Sequence, residues 1–532
     1  MKKGLFGISL LTMSCLYGML AAVVILVGIL CGVNLDLILL ISIGLFILQF
    51  LIAPWLTDLT MRWFYKAKFN HTMPEYLTSF ITEVCQTHKM KYPKIGYIDD
   101  GAPNAFTYGR TKNDARIVLT RGVFELLSED EVKAVVAHEL GHAVHYDMLF
   151  MTVANLVPLV LYYIYSTFTS NIKDDDDSKL AVIGLVAWVF YVISQYVILW
   201  LSRTREYYAD EFAVEETKNP TALAEALVKI GYGLTAHTTK EAKLSASRPN
   251  TLGIMDAKSS KSLIVSSYDD GKISKQNIKY AMRWEKWNVW SKWYEFFSTH
   301  PLISKRLEAI SARCNEYSQP AYVTFDEVPT ESYVDDFLLE LALIAMPTFL
   351  VIVALVLTVM AMFTENMLYV NILMFIPAAI IFFMLVRFLR THRYGNFQEK
   401  KVLDLLGEIK VSGVTAVPCT LTGEVIGKGD PGSIFDEDFV LKDDTGIMFI
   451  DYKRVLRVMD LISGLTKTKT LFGKKVTIKG WYRRSPVPYV QIYEMEVEGM
   501  KKKRFHSYGL SKFFLILFLI IALALPIIIL YI

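Results

Sequence analysis

Seven long runs of apolar residues alternate with polar segments along the chain. They cover residues 8–32, 35–55, 149–169, 180–201, 337–362, 368–389 and 511–531. A helix of about 20 apolar residues crosses a bilayer, so each run is long enough to be a membrane span. Removal of the first run as a signal peptide is the weaker alternative, because that run is long and a second follows at once. The pattern predicts a polytopic α-helical membrane protein.

One polar segment, residues 72–148, has the pattern of a small folded domain. It begins with an amphipathic helix, continues with three short stretches that alternate or are β-branched, and ends with a second helix. Ser128 can cap that second helix, and Glu131 three residues later completes a capping box. This order of elements predicts an α+β domain.

A second polar segment, residues 402–500, is rich in β-branched residues and turns. The stretch Asp-Asp-Thr-Gly at 443–446 predicts a hairpin, and two more strands are expected around a Pro-rich bend near 486. Five or so short strands predict a small β-barrel that resembles an OB-fold.

These patterns divide the chain into five parts. We predict a transmembrane hairpin at 1–55, an α+β domain at 56–336 that includes the spans 149–169 and 180–201, a transmembrane hairpin at 337–389, a β-rich OB-like domain at 390–510 and a transmembrane helix at 511–531.

Composition supports a membrane protein and excludes two other classes. Of the 532 residues 53% are hydrophobic, and the mean hydropathy of +0.34 is too high for an ordinary soluble chain. The net charge of only +3 gives no overall polyanion-binding character. The five cysteines are scattered, which excludes a disulfide framework and a cysteine metal knuckle.

Basic residues predict the orientation in the membrane. Clusters of Lys and Arg precede the first and seventh spans and follow the second and sixth, whereas the loop between the third and fourth spans carries four aspartates, 174–177. Because basic loops stay in the cytoplasm, we expect the amino terminus, the α+β domain and the OB-like domain to be cytoplasmic. With seven spans, the carboxyl terminus lies outside.

The sequence "AHELGHAVHYD" at 137–147 contains the most informative chemistry. His138 and His142 are four residues apart, so they lie on one face of the helix and can give one metal ion two imidazole nitrogens. Glu139 is placed beside such an ion, where its carboxylate can take a proton from a water molecule. A surface helix with two incidental histidines remains the alternative for this short motif alone.

A second pair of acids follows the fourth span in "LSRTREYYADEFA". A zinc ion with two histidines needs a third protein ligand and an open position, and Glu206 can supply that ligand. Asp210, one turn further, would hold a ligand histidine or a neighbouring cation. The alternative is a juxtamembrane helix with solvated acids.

Five segments in order resemble one family, the membrane zinc metallopeptidases typified by HtpX and the Ste24-type CAAX prenyl protease. They are "GAPNAFTYG", "LLSEDEVKAVVAHELGHAVHYDM", "SRTREYYADEFA", "NPTALAEALVKI" and "STHPLISKRL". The resemblance covers roughly residues 1–315, and the positions of the spans relative to the motifs resemble HtpX more than the prenyl protease. It implies a gluzincin fold and one Zn²⁺ per chain.

The resemblance also implies further roles. It makes His300 a donor to the negatively charged intermediate, with capping of a helix before Pro301 as the alternative. Arg306 would pair with Asp210 and brace Glu206, unless it is a surface residue. Substrate would lie along an edge strand formed by Asn104, Ala105 and Phe106. His145 stands three residues after His142. We expect its side chain to face solvent and to bind no metal.

We therefore predict a zinc metalloendopeptidase that cleaves peptide bonds at the cytoplasmic face, with membrane-protein quality control as its role. Alternatives are a CAAX-type processing protease of modified peptides and a membrane-tethered binding or scaffold protein that acts through the OB-like domain. An OB-fold often binds single-stranded nucleic acid, and the run Trp481, Tyr482, Arg483 and Arg484 fits that use. Because spans hold this domain at the membrane, we favour core aromatics and lipid-facing arginines, and expect no nucleic acid partner.

Overall fold

The described residues fall into two compact units. The computed structural model describes residues 3–31, 35–170, 178–236, 268–269, 272–273, 275–325, 331–364, 366–393, 395–428, 439–451, 473–498, 503–504 and 507–531. The first unit takes in the described residues up to 236 together with 293–324, and the second takes in 268–292 and 325–531. The second unit therefore includes part of the range predicted for the α+β domain.

Each of the two units contains long apolar helices. In the first unit they are α1 (Lys3–Cys31), α2 (Leu35–Trp63), α6 (Asp147–Ser170) and α7 (Ser178–Thr217). In the second unit they are α12 (Val334–Thr364), α13 (Met367–Thr391) and α15 (Ser507–Tyr531). Within the described residues, six helices are long and apolar enough to cross a membrane. The remaining predicted span, 35–55, lies in α2. Several side chains of α2 are not among those described, and this span stays a prediction.

Helices α1, α6 and α7 pack together through a shared apolar core. Leu16 and Val23 of α1 meet Val157 and Leu161 of α6, and Ala187 of α7 lies in the same cluster. Small side chains such as Ala187 let membrane helices approach closely. The packing brings Asp147 at the beginning of α6 into contact with Arg205 of α7.

The remaining elements of the first unit surround a small sheet. They are α3 (Glu75–Thr87), β1 (Lys94–Ile98), β2 (Ala105–Gly109), β3 (Ala115–Thr120), α4 (Arg121–Leu126), α5 (Glu129–Val144), α8 (Pro220–Ala236) and α11 (Ile303–Arg313). The three predicted strands are confirmed. Strand β3 is central, parallel to β1 and antiparallel to β2, so β2 is an edge strand within the part of the sheet that is described.

Helix α5 begins as the sequence predicts and is buried along most of its length. Ser128 accepts from the backbone of Glu131, whose side chain accepts in return from Ser128, so the capping box is present. The helix then packs on α7 at Gly141, where an added Cβ atom would lie 3.2 Å from the Cα atom of Ala209. Two small residues therefore allow the backbones of α5 and α7 to come close together.

A closed five-stranded barrel forms the centre of the second unit. Its strands are β4 (Val417–Lys428), β5 (Phe439–Lys442), β6 (Ile447–Asp451), β7 (Lys475–Arg484) and β8 (Pro488–Val497). They pair in the order β4-β5-β6-β8-β7, and β7 pairs again with β4 to close the ring. The predicted hairpin is present, because Lys442 pairs with Ile447. The pairing of β6 with β8 is parallel, and the others are antiparallel.

Shorter elements complete the second unit. They are α9 (Lys275–Trp287), the helix α10 (Val289–Phe296) that continues into the first unit, α14 (Val402–Leu406), and the two-residue strands Tyr268–Asp269, Lys272–Ile273, Gln398–Glu399 and Lys503–Arg504. The indole of Trp284 in α9 donates to the carbonyl oxygen of Val411 at 2.8 Å. Helix α9 is therefore bound to the barrel domain.

The aromatic and basic run on β7 is buried. Trp481 and Tyr482 belong to the core, in agreement with the favoured interpretation. Arg483 and Arg484 are buried too, so the expectation that they face lipid is wrong. Arg484 lies over the ring of Trp284 at 4.5 Å, and Arg483 donates to the carbonyl oxygen of Thr391 at 2.8 Å. These side chains are unavailable to stack on or pair with a nucleic acid strand.

Candidate metal centre

Two helices bring three ligand groups together. His138 and His142 project from α5 with their Nε2 atoms 3.2 Å apart. Glu206 projects from α7, with one carboxylate oxygen 3.6 Å from Nε2 of His138 and the other 3.6 Å from Nε2 of His142. Among the residues that the structure describes, these three side chains form the group able to hold a metal ion.

The spacing of these atoms fits a tetrahedral ion. Bonds of about 2.0–2.1 Å to nitrogen and oxygen, as in zinc sites, separate two tetrahedral ligands by about 3.3 Å, close to the distances between these three groups. The Oε2 atom of Glu206 is buried, and within the described residues it accepts no hydrogen bond. Two imidazoles and one carboxylate are also a donor set that zinc accepts.

A carboxylate lies against the outer nitrogen of each histidine. Nδ1 of His138 is 3.0 Å from Oδ1 of Asp210, and Nδ1 of His142 is 2.7 Å from Oδ2 of Asp147. A partner of this kind fixes the tautomer of a ligand histidine so that Nε2 faces the ion. Asp210 was predicted in this place from the sequence, and Asp147 was not.

Arg306 joins the acids of α7 to α11. Its Nε and Nη2 atoms donate to the two oxygens of Asp210 at 2.8 and 2.7 Å, and its Nη1 atom lies 3.4 Å from Oε2 of Glu206. Arg306 is buried, which disfavours its charge, yet Asp210 and Glu206 raise the pKa of Arg306 above its ordinary value. The guanidinium therefore stays charged and holds both carboxylates in place.

The same two acids, Asp210 and Glu206, determine the charge state of His138. Burial disfavours the protonated form of His138, but the carboxylates of Asp210 and Glu206 outweigh burial and raise its pKa to about 9. For His142, burial is the largest effect and lowers the pKa of the imidazole. The pocket thus favours a positive charge at the point where the ligand atoms converge.

Asp147 is itself held by a buried arginine. Arg205 donates from Nη1 to Asp147 and from Nη2 to the hydroxyl of Ser9 at 2.6 Å. Its guanidinium also lies over the ring of Phe150 at 4.7 Å. A chain of polar contacts therefore runs from Ser9 in the apolar helix α1 to His142. No pattern in the sequence indicated it, because Ser9 and Arg205 meet across 196 positions.

Glu139 lies beside the ligands and is oriented by the edge strand. The hydroxyl of Thr107 donates to the Oε2 atom of Glu139 at 2.7 Å. Side chains alternate along a strand, so Thr107 faces α5 while Phe106 and Tyr108 face the opposite side. Thr107 was not identified from the sequence, although it stands within the quoted "NAFTYG" segment.

His300 reaches the same pocket from the segment before α11. Its Nε2 atom lies 3.6 Å from Oε1 of Glu206, and its Nδ1 atom is 2.9 Å from the hydroxyl of Thr299. His300 is buried together with Glu206 and Arg306. The structure thus brings together every charged residue that the sequence analysis assigned to the site.

Two of the predicted positions differ in detail. Asn104 precedes β2 and Ala105 begins it, but the side chain of Phe106 packs in a core cluster with Met61 and Val118, so only its backbone can face a substrate. His145 is buried rather than solvent-facing, with its ring edge-on to Phe212 at 5.7 Å. That part of the interpretation was wrong, because α7 covers this side of α5.

Known proteins share this region of the chain. The family model described as Peptidase family M48 matches residues 73–314. A Protease HtpX homolog of Methanothermobacter thermautotrophicus is 38% identical over 216 residues, which are 40% of this chain and 81% of that one. Another Protease HtpX homolog, from Thermoplasma acidophilum, is 28% identical over 314 residues, which are 58% of this chain and 94% of that one.

A solved structure is more distantly similar. The crystal structure of Ste24p from S. mikatae has 18% identity and a TM-score of 0.34 over 58% of this chain and 67% of that one. The resemblance predicted from the five sequence segments is confirmed by the family match and the HtpX homologues. The matched range 73–314 contains both histidines, Glu139, Glu206 and His300. The chain belongs to peptidase family M48, as an HtpX-like membrane metallopeptidase.

Proposed function

We propose that the chain is a zinc-dependent endopeptidase with one Zn²⁺ held by His138, His142 and Glu206. The observation that carries the proposal is the convergence of these three groups at 3.2–3.6 Å beside a separately oriented Glu139. When bound, zinc supplies a Lewis acid for the scissile carbonyl and lowers the pKa of a water molecule.

Glu139 is the proposed general base. Its carboxylate takes a proton from the water that attacks the peptide carbonyl, and then gives that proton to the leaving amine nitrogen. The hydrogen bond from Thr107 at 2.7 Å supports this role, because it holds one carboxylate oxygen and leaves the other for the water. The substrate backbone would pair with the edge strand β2 along Asn104, Ala105 and Phe106.

His300 is the proposed donor to the developing negative charge on the carbonyl oxygen. Its buried position, with Nε2 3.6 Å from Glu206, supports this role. Asp210 and Arg306 are positioning residues. The two hydrogen bonds between them keep Asp210 against His138 and Arg306 against Glu206. Asp147 and Arg205 position His142 in the same way.

We infer that the site faces the cytoplasm, at the edge of a membrane crossed seven times, with the carboxyl terminus outside. The distribution of basic residues in the loops supports this orientation. A site at the membrane edge suits protein substrates that leave or enter the bilayer, so quality control of membrane proteins is the proposed role. A CAAX-type processing protease remains the second candidate, but among the described residues no contact in the site favours a modified peptide.

We also infer that the barrel of residues 390–510 is an OB-like domain that affects substrate choice rather than chemistry. In support, its first strand pairs with the second and the fourth, while the third pairs in parallel with the fifth, an order that suits a five-stranded Greek-key barrel. The proposed catalytic residues all precede position 310. A scaffold function through this domain is less favoured, because the peptidase site retains its ligands and its base.

Replacement of the base should separate metal binding from catalysis. Glu139→Gln should keep about one zinc per chain, because Glu139 is not a proposed ligand, while cleavage of an unstructured protein falls about 10²–10⁴-fold. Metal content by mass spectrometry and initial rates on casein measure the two effects. Cleavage close to the wild-type rate would remove Glu139 from the mechanism.

Replacement of the third ligand should strip the ion. Glu206→Ala should hold zinc far more weakly, because two imidazoles alone do not form a complete site. Glu211→Ala is the matched control, since Glu211 lies on the same helix but pairs with Arg313 at 3.2 Å. Stoichiometric zinc in Glu206→Ala after dialysis, or equal losses in both variants, would contradict the assignment.

The hydroxyl of Thr107 should contribute to turnover rather than to substrate binding. Thr107→Val removes the donor to Glu139 with little change of shape, and the loss of a hydrogen bond to a charged group is worth about 1.5–3 kcal/mol. We expect kcat to fall about 10- to 100-fold, KM to stay within about twofold, and Thr107→Ser to restore most of the rate. If Thr107→Ser were as slow as Thr107→Val, the hydroxyl would not be the cause.

Cysteine labelling can test the proposed orientation. The exposed native Cys15 and Cys31 are first replaced by alanine. Single cysteines at the exposed position Asp130, or at position 401 in the barrel domain, should resist a membrane-impermeant reagent on intact cells and react after lysis. A cysteine at position 175 should react on intact cells. Labelling of position 130 from outside would overturn the orientation.

A further inference from the structure

Three aromatic side chains stand exposed immediately before the segment of His300. Trp293, Phe296 and Phe297 are 36%, 47% and 47% exposed. We call these three residues the aromatic shelf. Trp293 and Phe296 both contact Phe297 edge-on, at 5.2 and 5.4 Å between ring centroids. Large apolar side chains grouped and exposed in this way indicate a binding surface, and the proposed chemistry uses none of them.

The shelf continues the apolar surface of α7. Phe296 stacks on Tyr196 of α7 at 4.7 Å, and Phe297 meets the same ring edge-on at 5.6 Å. On one face of α7, Ile193 and Trp200 stand three residues before and four residues after Tyr196, and both are exposed. The shelf therefore joins the exposed apolar face of α7 at Tyr196.

The contact with Tyr196 fixes the depth of the shelf. Residues 180–202 contain no charged side chain, and Arg203 is the first after them. That run is about 34 Å long as a helix, close to the thickness of the hydrocarbon core of a bilayer, about 30 Å. Tyr196 stands seven residues before Arg203, about 10 Å further along the helix toward the bilayer centre.

Arg203 of α7 holds the backbone of the aromatic shelf in place by hydrogen bonds. Its Nη1 atom donates to the backbone carbonyl oxygens of Glu295 at 2.8 Å, Phe296 at 3.3 Å and Ser298 at 2.7 Å. Glu295 and Phe296 form the last turn of α10 and Ser298 follows it, so Arg203 binds the backbone where this helix ends. Arg203, which follows the uncharged run of α7, is thus hydrogen-bonded to the backbone segment that carries the aromatic rings.

We propose that the aromatic shelf is a membrane anchor that inserts into the boundary between lipid headgroups and acyl chains. Aromatic side chains are enriched at this depth in membrane proteins, and apolar faces that lie in the interface bury themselves by about 5–10 Å. The partner of the surface is the lipid itself. Because His300 follows Phe297 by only three residues, the anchor holds the proposed oxyanion donor at the membrane surface.

This inference rests on the proposed function only for its consequence, the preference for substrates held at the membrane. The insertion itself can be measured without catalysis. The chain offers a matched control, Tyr92, which is 46% exposed. His88, four residues earlier, contacts Glu216 of α7 at 2.7 Å, and Glu216 stands 13 residues beyond Arg203, about 20 Å further from the bilayer.

The first experiment uses a photoreactive residue in the full chain. Benzoylphenylalanine replaces Phe297 or Tyr92, the protein is placed in nanodiscs of phosphatidylethanolamine and phosphatidylglycerol, and adducts are identified by mass spectrometry. We expect lipid adducts from position 297 at least about tenfold above those from position 92. Equal yields, or adducts from position 297 only to protein, would overturn the anchor.

The second experiment measures the consequence. The double variant Phe296→Ser, Phe297→Ser should hold zinc and cleave soluble casein within about twofold of wild type, while cleavage of a substrate tethered to the same nanodisc falls about fivefold or more. Equal losses on both substrates would contradict a role at the membrane. If the benzoylphenylalanine variant at position 297 formed lipid adducts but wild type cleaved neither substrate, the proposed function would be wrong while the membrane anchor would be supported.

Discussion

The close approach of α5 to α7 at Gly141 and Ala209 is the constraint on which the rest of the site depends. A side chain at position 141 would meet the Cα atom of Ala209 at 3.2 Å, so a larger residue would push the two helices apart. Nε2 of His138 and an oxygen of Glu206, both proposed ligands, are 3.6 Å apart, and metal coordination tolerates shifts of only about 0.2 Å. Packing of small residues therefore sets the spacing of the groups in the proposed metal centre.

Close packing also buries charges that need partners. Glu206, Asp210, Arg205, Arg306 and Asp147 are all buried, and an unpaired buried charge costs several kcal/mol. Pairing of opposite charges offsets this cost. Arg306 lies between the two acids of α7, and Arg205 lies beside Asp147. Burial opposes the protonated form of His138, but the carboxylates of Asp210 and Glu206 outweigh it and raise the pKa of His138, in keeping with a pocket that favours a positive charge.

The parts of this arrangement that follow helical or strand periodicity could be predicted from the sequence. The pairing of His138 with His142, the capping box at Ser128 and the three strands depend on neighbours within a few residues. Thr107, Ser9 and Arg205 could not be found in this way, because each acts on a residue far along the chain. The burial of Arg484 and His145 was missed for the same reason, since Trp284 lies against the first and Phe212 of α7 against the second.

The membrane helices of the first unit support the candidate site directly and do not form a separate domain. Ser9 in α1 contacts Arg205, which holds Asp147 against His142, and α6 begins at Asp147 itself. The ligand helix therefore depends on contacts made by helices that enter the bilayer. A soluble fragment of the peptidase region would lose the support of His142 at one of its two outer contacts.

X-ray absorption at the zinc edge of the purified full chain, combined with metal analysis, can test whether His138, His142 and Glu206 hold zinc. We expect one zinc per chain, with two imidazole ligands, oxygen atoms in the remaining positions and no sulfur. A chain that holds no stoichiometric zinc, or zinc with one imidazole or with thiolate ligands, would contradict the assignment of His138, His142 and Glu206 as the metal centre.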